Sequence, residues 1–140
     1  MTSTADRARN LATAVRLLND AAELGAKLVG LPENFAFMGR DEERIALAEP
    51  LDGPTLGAIR EVARARRIWV VAGSVAEKVD QPGKTANTSV LVADDGSLAA
   101  AYRKIHLFDV NIPDGARYAE SETVIPGDKV VLAPTPLGRI

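Results

Sequence analysis

Cysteine is absent from the chain, which excludes disulfides and any thiolate nucleophile or thiolate metal ligand among these residues. Histidine occurs once, as His106, so a transition-metal site would have too few nitrogen and sulfur ligands. Aromatic residues make up only 4% of the sequence, and a core must therefore be assembled from Val, Leu, Ile and Ala. Positive charge is not in excess: the formal net charge of −2 offers no basic footprint for nucleic acid or anionic lipid. No apolar run approaches the roughly 20 residues of a membrane span. The opening residues Met1-Thr2-Ser3-Thr4-Ala5-Asp6 lack the charged and apolar regions of a signal peptide. These exclusions predict a cytoplasmic protein with neither nucleic acid nor membrane as a partner. They leave acid–base, hydroxyl or lysine chemistry to the residues present.

What is present reads as a folded domain, with 46% hydrophobic and 26% charged residues. Leu11, Val15, Leu18 and Ala22 recur at helical spacing and predict an amphipathic helix over 4–24, capped by Ser3 or Thr4 and closed by Gly25. Residues 26–31 read as a buried strand that Pro32 ends. A short helix over 41–49 and the turn Leu51-Asp52-Gly53-Pro54 lead to a second long helix. Its inner face is Leu56, Ile59, Val62 and Ala63, with Arg60, Arg64, Arg66 and Arg67 toward solvent. Residues 68–73 form the next strand. Segments 88–93 and 98–102 flank Asp94-Asp95-Gly96-Ser97, a hairpin signal that makes those two strands antiparallel. A loop over 107–128 then precedes a last strand at 129–133 and the turn Pro134-Thr135-Pro136. Helix, strand, helix, strand and hairpin in that order predict an α/β layered fold with a mixed sheet, because a tight hairpin cannot join parallel strands.

Two features carry candidate chemistry. In Leu31-Pro32-Glu33-Asn34-Phe35 a carboxylate stands just past the C-terminal end of a strand, the edge at which open α/β sheets bind ligands. Leu31 and Phe35 are placed to screen it from water and so to make it a general base; a solvated loop glutamate is the competing reading. In Tyr102-Arg103-Lys104-Ile105-His106 a lysine ends the second hairpin strand, where its ammonium can meet a developing oxyanion. The competing reading is an edge-strand lysine that guards against aggregation. Gly83-Lys84-Thr85 imitates the end of a phosphate-binding loop, but the pattern requires Gly where Lys78 stands. Gly73-Ser74 lacks the flanking glycines of a serine-hydrolase elbow, having Ala72 and Ala76 in their places. His106, with no partner cysteine or serine, reads as a hydrogen-bonded structural residue.

Together, Leu31-Pro32-Glu33-Asn34 and, 71 positions on (104 minus 33), Arg103-Lys104-Ile105-His106-Leu107-Phe108 resemble the first two active-site motifs of the nitrilase superfamily of carbon–nitrogen hydrolases. The likeness continues through Leu51-Asp52-Gly53-Pro54, Trp69-Val70-Val71-Ala72-Gly73-Ser74, Asn87-Thr88-Ser89 and Arg117-Tyr118-Ala119-Glu120-Ser121. It is strongest toward the branch of small amidases that includes omega-amidase and deaminated glutathione amidase. The resemblance implies a four-layer α-β-β-α sandwich and a Glu-Lys-Cys triad that works without metal or organic cofactor on a small amide. On that implication Glu33 is the general base and Lys104 the transition-state stabiliser. Glu120 is the candidate second active-site glutamate, with Glu122 its rival two residues on. A homo-oligomeric parent enzyme is also implied. The family's cysteine follows a strand that begins like Pro136-Leu137-Gly138-Arg139-Ile140, and its first strand precedes the opening helix. Residues 1–140 are thus expected to form a partial carbon–nitrogen hydrolase domain, lacking the first strand and the C-terminal half and inactive alone. The alternative is a catalytically silent binding or assembly subunit with the same fold.

Overall fold

A computed structural model describes residues 1–113 and 115–140. Helix α1 (Arg7–Glu23) begins at Asp6, whose carboxylate accepts the Arg9 N–H at 3.0 Å, so the cap lies two or three residues later than the hydroxyls of Ser3 and Thr4 suggest. Gly25 closes the helix with φ +89°. Strand β1 (Leu28–Gly30) follows, then the short helix α2 (Asp41–Ala46) and helix α3 (Pro54–Arg66). Pro54 occupies the first turn of α3, where a missing N–H costs nothing, and the Glu49 carboxylate accepts the Thr55 N–H at 2.9 Å. Strands β2 (Trp69–Val71), β3 (Val75–Lys78), β4 (Thr85–Val92) and β5 (Leu98–Arg103) come next. Strands β6 (Asp109–Asn111) and β7 (Arg117–Ala119) form a small hairpin, succeeded by a single 3-10 turn (Glu120–Glu122) and β8 (Val124–Ile125). A last hairpin pairs β9 (Pro134–Thr135) with β10 (Gly138–Arg139).

The main sheet is mixed, as expected. Strand β1 runs parallel to β2, and β2 and β3 both run antiparallel to β4. Because β2 pairs with the end of β4 (Leu91, Val92) and β3 with its beginning (Thr85–Thr88), the two lie end to end along one edge of that strand. The other edge is filled in the same way, by β5 antiparallel at Thr88–Val92 and β8 parallel at Thr85 and Ala86. One face of this sheet packs against α1 and α3. Ala14 and Leu18 of α1 meet Leu56, Ile59, Val62 and Ala63 of α3, with Val70, Ala72, Val90 and Val92 below them. The period-2 spacing of the strand residues and the helical spacing of the others place every one of them on a single interior. Each fully buried Val, Leu or Ile contributes about 1.5–3 kcal/mol. The α/β class and the antiparallel hairpin agree with the sequence, and the inner face of α3 consists of the residues expected.

Several elements differ from expectation for identifiable reasons. Strand β1 is not buried: Leu28 and Gly30 are exposed and only Val29 turns inward, since β1 stands at the edge of the sheet. Arg60 does not point to solvent; its Nε donates to the Gly96 carbonyl at 2.8 Å and braces the β4–β5 turn. Strand β3 has no strand signal in the sequence, because it is short and carries a charged residue, Glu77, on its buried side. That carboxylate takes a bidentate pair from Arg103 at 2.7 and 2.8 Å and the Thr88 hydroxyl at 2.6 Å. Burial pushes the Glu77 carboxyl upward, but the Arg103 and Thr88 hydrogen bonds outweigh it and hold it below the usual range. Residues 129–133 are not a strand. Their apolar side chains Val130 and Leu132 are exposed, and the pairing falls instead on β9 and β10 around a turn at Pro136 and Leu137.

Gly73 is where the fold permits no side chain. It sits at φ +46°, in the break between β2 and β3, and a Cβ there would overlap the Pro32 carbonyl. Gly57, inside α3, has open space around it. The two glycines are therefore expected to answer alanine with opposite sign. Gly73→Ala should lower the unfolding free energy by more than about 1 kcal/mol, whereas Gly57→Ala should raise it by about 0.5–1 kcal/mol. Urea unfolding of the two variants measures both; stabilisation by Gly73→Ala would contradict the close approach.

Candidate functional site

The turn after β1 carries Glu33, and the N-terminal segment holds that turn in place. Asn10, only 2% exposed, donates its amide to the carbonyls of Thr4 (2.7 Å) and Ala36 (3.0 Å), and the Ser3 hydroxyl donates to the Phe35 carbonyl (3.1 Å). Phe35 is fully buried in the core. From the other side, the Ser74 hydroxyl accepts the Asn34 N–H at 3.0 Å, with Asn34 at φ +52°. Ser74 is thus a fastener for this turn. The bare backbone of Gly73 beside it lets the Pro32 carbonyl come close.

Lys104 continues the line of β5 by one residue. Its N–H donates to the Asn87 carbonyl of β4 at 2.8 Å, and its carbonyl accepts the Gly127 N–H at 2.9 Å, so its backbone is held on both sides. Its ammonium lies 3.1 Å from Glu33 Oε1 and 2.9 Å from Glu120 Oε2. Asn87, 4% exposed, directs its Nδ2 at the same two carboxylates, 2.7 Å from Glu33 Oε1 and 3.3 Å from Glu120 Oε1. The Phe108 N–H donates to Glu120 Oε2 at 2.7 Å. Glu33, Lys104 and Glu120 therefore meet at one point. Glu122 turns away and pairs with Arg117 at 2.8 Å, so Glu120 is the one of the two glutamates that reaches the lysine. His106 is exposed beside the site and does not contribute to this network.

Exposure divides the two carboxylates. The Glu33 side chain is 56% exposed and that of Glu120 only 16%. The screening of Glu33 by Leu31 and Phe35 expected from the sequence does not occur, because Phe35 points into the core rather than over the carboxylate. Burial works against the Lys104 ammonium, yet the hydrogen bonds to Glu120 and Glu33 outweigh it and raise its pKa above the ordinary lysine value. Burial likewise pushes the Glu120 carboxyl up. The Phe108 N–H, Lys104 and Asn87 prevail and hold it below the ordinary glutamate range. Both groups are charged at neutral pH, which suits a fixed cation and a fixed acceptor. The three side chains line a cavity of about 560 Å³, whose apolar wall includes Phe37, Phe108 and Tyr118. The rings of Phe108 and Tyr118 lie 5.5 Å apart, inclined at 55°.

Asn87 was not singled out as a site residue from the sequence, where it stood only within the stretch Asn87-Thr88-Ser89. The strand signal in the sequence begins at residue 88 and so leaves Asn87 outside it, whereas in the structure Asn87 is buried within β4, where its amide needs partners. Among the described residues no group of three His, Cys, Asp or Glu side chains is arranged to hold a metal ion. No helix among them is long and apolar enough to cross a membrane.

A mixed sheet carries an ammonium between two carboxylates in the lining of a cavity. The chain belongs to the carbon–nitrogen hydrolase family, whose model matches residues 1–140. Within it, the chain is similar to the deaminated glutathione amidase of Synechocystis sp., at 42% identity over 130 residues that cover 92% of this chain and 48% of that protein. Among solved structures it resembles the C. elegans NitFhit protein, with TM-score 0.88 and 35% identity over 99% of this chain and 34% of that one. It also resembles Saccharomyces cerevisiae Nit3, a member of branch 10 of the nitrilase superfamily, with TM-score 0.80 and 28% identity over 98% of this chain and 49% of that one. The chain spans about half the length of the Synechocystis relative.

The opposed shifts of Glu120 and Lys104 fix a pH dependence. Glu120 has a lowered folded pKa, so its contribution to stability is whole above its ordinary 4.5 and is lost as pH falls through the folded value. Lys104 has a raised one, so its contribution is whole below its ordinary 10.5 and is lost as pH rises through the folded value. The stability gap between wild type and Glu120→Gln should accordingly be flat across neutral pH and close in acid. Urea unfolding at a series of pH values measures it; a gap that widens in acid would contradict the ion pair.

Proposed function

We propose that these residues form part of a cysteine-dependent amidase domain and supply its general base, its oxyanion-binding cation and a second active-site glutamate. The observation that carries this reading is the convergence of Glu33, Lys104 and Glu120 within 3.1 Å contacts in the lining of a cavity, in a chain of the carbon–nitrogen hydrolase family. The nucleophilic thiol then comes from outside these residues, which contain no cysteine.

In this scheme the thiol gives its proton to Glu33 as its sulfur adds to the carbonyl carbon of a small amide. The Lys104 ammonium meets the oxyanion that forms, and because its pKa is raised it stays protonated while doing so. The C–N bond breaks, and ammonia leaves with the proton returned by Glu33. Glu33 then takes a proton from water as the water oxygen attacks the thioester, the C–S bond breaks to release the acid, and Glu33 returns the proton to the departing sulfur. Glu120 keeps Lys104 charged and aimed, since it accepts from that ammonium and from the Phe108 N–H at once. The apolar wall of Phe37, Phe108 and Tyr118 suits the carbon chain of a short amide.

The test is ammonia release from a panel of omega-amides, N-carbamoyl acids and nitriles. The enzyme is this chain joined to the remaining half of the Synechocystis relative, which the resemblance expects to bring the cysteine. Glu33→Gln and Lys104→Ala should each lower turnover by about 10²–10⁴-fold with the fold retained, and the 140-residue chain alone should release no ammonia. Near-normal turnover in either variant would overturn that residue's role. Release by the isolated chain would overturn the need for a thiol. A folded fusion that binds amides without hydrolysing them would favour a silent binding subunit.

A further inference from the structure

Glu120 reaches Lys104 from a segment that the core does not hold. None of the residues of its 3-10 turn, Glu120–Glu122, is buried, and the first apolar anchor after them is Val124. The preceding β6–β7 hairpin forms a separate two-stranded sheet. Apolar packing therefore does not set the position of this carboxylate; polar contacts from better-anchored elements must do so.

The start of β4 supplies them. The Lys84 ammonium lies 2.8 Å from the Ser121 carbonyl and 2.8 Å from the Glu122 carbonyl, the two oxygens at the end of the turn. These are acceptors that a short turn leaves without internal partners, and a three-donor ammonium satisfies both together. Next to it, the Thr85 N–H donates to the Thr123 carbonyl at 2.9 Å, and Arg44 of α2 donates to the Thr123 hydroxyl at 2.7 Å. Three residues further along β4, Asn87 reaches the carboxylates of Glu120 and Glu33. The residue that leads into β4 thus grips the backbone of the turn, and β4 itself grips the turn's side chain.

We propose that Lys84 is a positioning residue, whose ammonium, held on the carbonyls of Ser121 and Glu122, fixes the turn that presents Glu120 to Lys104 and Asn87. This gives a role to the lysine of Gly83-Lys84-Thr85, which imitates a phosphate-binding loop but spends its donors on main-chain oxygens. The proposal rests on the reading of Glu120 as part of the active site for its consequence in catalysis, though not for its geometry.

The geometry is tested on the 140-residue chain with Lys84→Met, which keeps the length and removes the donors, and Lys84→Arg, which restores them. Carboxyl carbon NMR follows the titration of Glu120, and hydrogen exchange follows the Phe108 amide, with the amides of Val90 and Val92 as the reference for the sheet. In Lys84→Met the Glu120 titration should move up toward its ordinary 4.5 and the Phe108 amide should exchange at least tenfold faster, with the sheet amides unchanged. Lys84→Arg should recover both. An unmoved Glu120 titration in Lys84→Met overturns the proposal, and so does loss of sheet protection, which would make the lysine a residue of the fold as a whole. In the fusion used for the amide assay, Lys84→Met should lower kcat at least tenfold with KM changed less than threefold. If the titration moves while turnover proves independent of Glu120, the catalytic reading fails and the positioning stands.

Discussion

Main-chain hydrogen bonding along both edges of β4 is the constraint on which the rest of the molecule hangs. That strand takes β2 and β3 on one side and β5 and β8 on the other, so elements from most of the chain are brought into register by one run of eight residues. Its inward residues Val90 and Val92 lie under α1 and α3, and its opposite end provides Asn87 to the site, with Lys84, immediately before the strand, on the turn that carries Glu120. A one-residue slip would send Asn87 to the other face and Thr88 into its place, since successive side chains alternate across a strand. The alignment of the core and that of the site are thus the same event.

Magnitudes show which way the dependence runs. An ion pair as exposed as Glu33 with Lys104 is worth about 0–1 kcal/mol, less than one fully buried Val or Leu at about 1.5–3 kcal/mol. The charges at the site therefore do not assemble the fold. The helix-on-sheet interior does, and it delivers the ends of β1 and β5 to adjacent points on the sheet edge. Glu77 and Arg103 offer the contrast. Their bidentate pair is buried on the carboxylate side and joins β3 to β5 across β4, so it belongs to the framework even though Arg103 is the immediate neighbour of Lys104.

The functional elements also differ in how firmly they are held. Glu33 stands on a turn fixed from three sides by Asn10, Ser3 and Ser74, and Lys104 has its backbone bonded to Asn87 and Gly127. Glu120 has only polar fastenings.

By itself, the sequence determined whatever depends on local periodicity or on a residue's own stereochemistry. The two long helices, the inward faces Leu18 and Leu56-Ile59-Val62, and the Asp95-Gly96 hairpin turn follow from spacing and from φ preferences that neighbours a few residues away enforce. The motifs around Glu33 and Lys104 were legible through their resemblance to the nitrilase superfamily, since position at the end of a strand also fits a solvated glutamate and an edge-strand lysine. Tertiary structure alone decided the rest. Strand β3 and the buried Glu77 are intelligible only with Arg103 and Thr88 beside them. The bridging amide of Asn87 and the grip of Lys84 on the turn join residues 33 or more positions apart, and the choice of Glu120 over Glu122 rests on a contact with Lys104 across 16 positions. Contacts of that range are fixed by strand pairing and by how the loops close over the sheet, and no local pattern encodes the distance between two side chains that only a shared strand brings together.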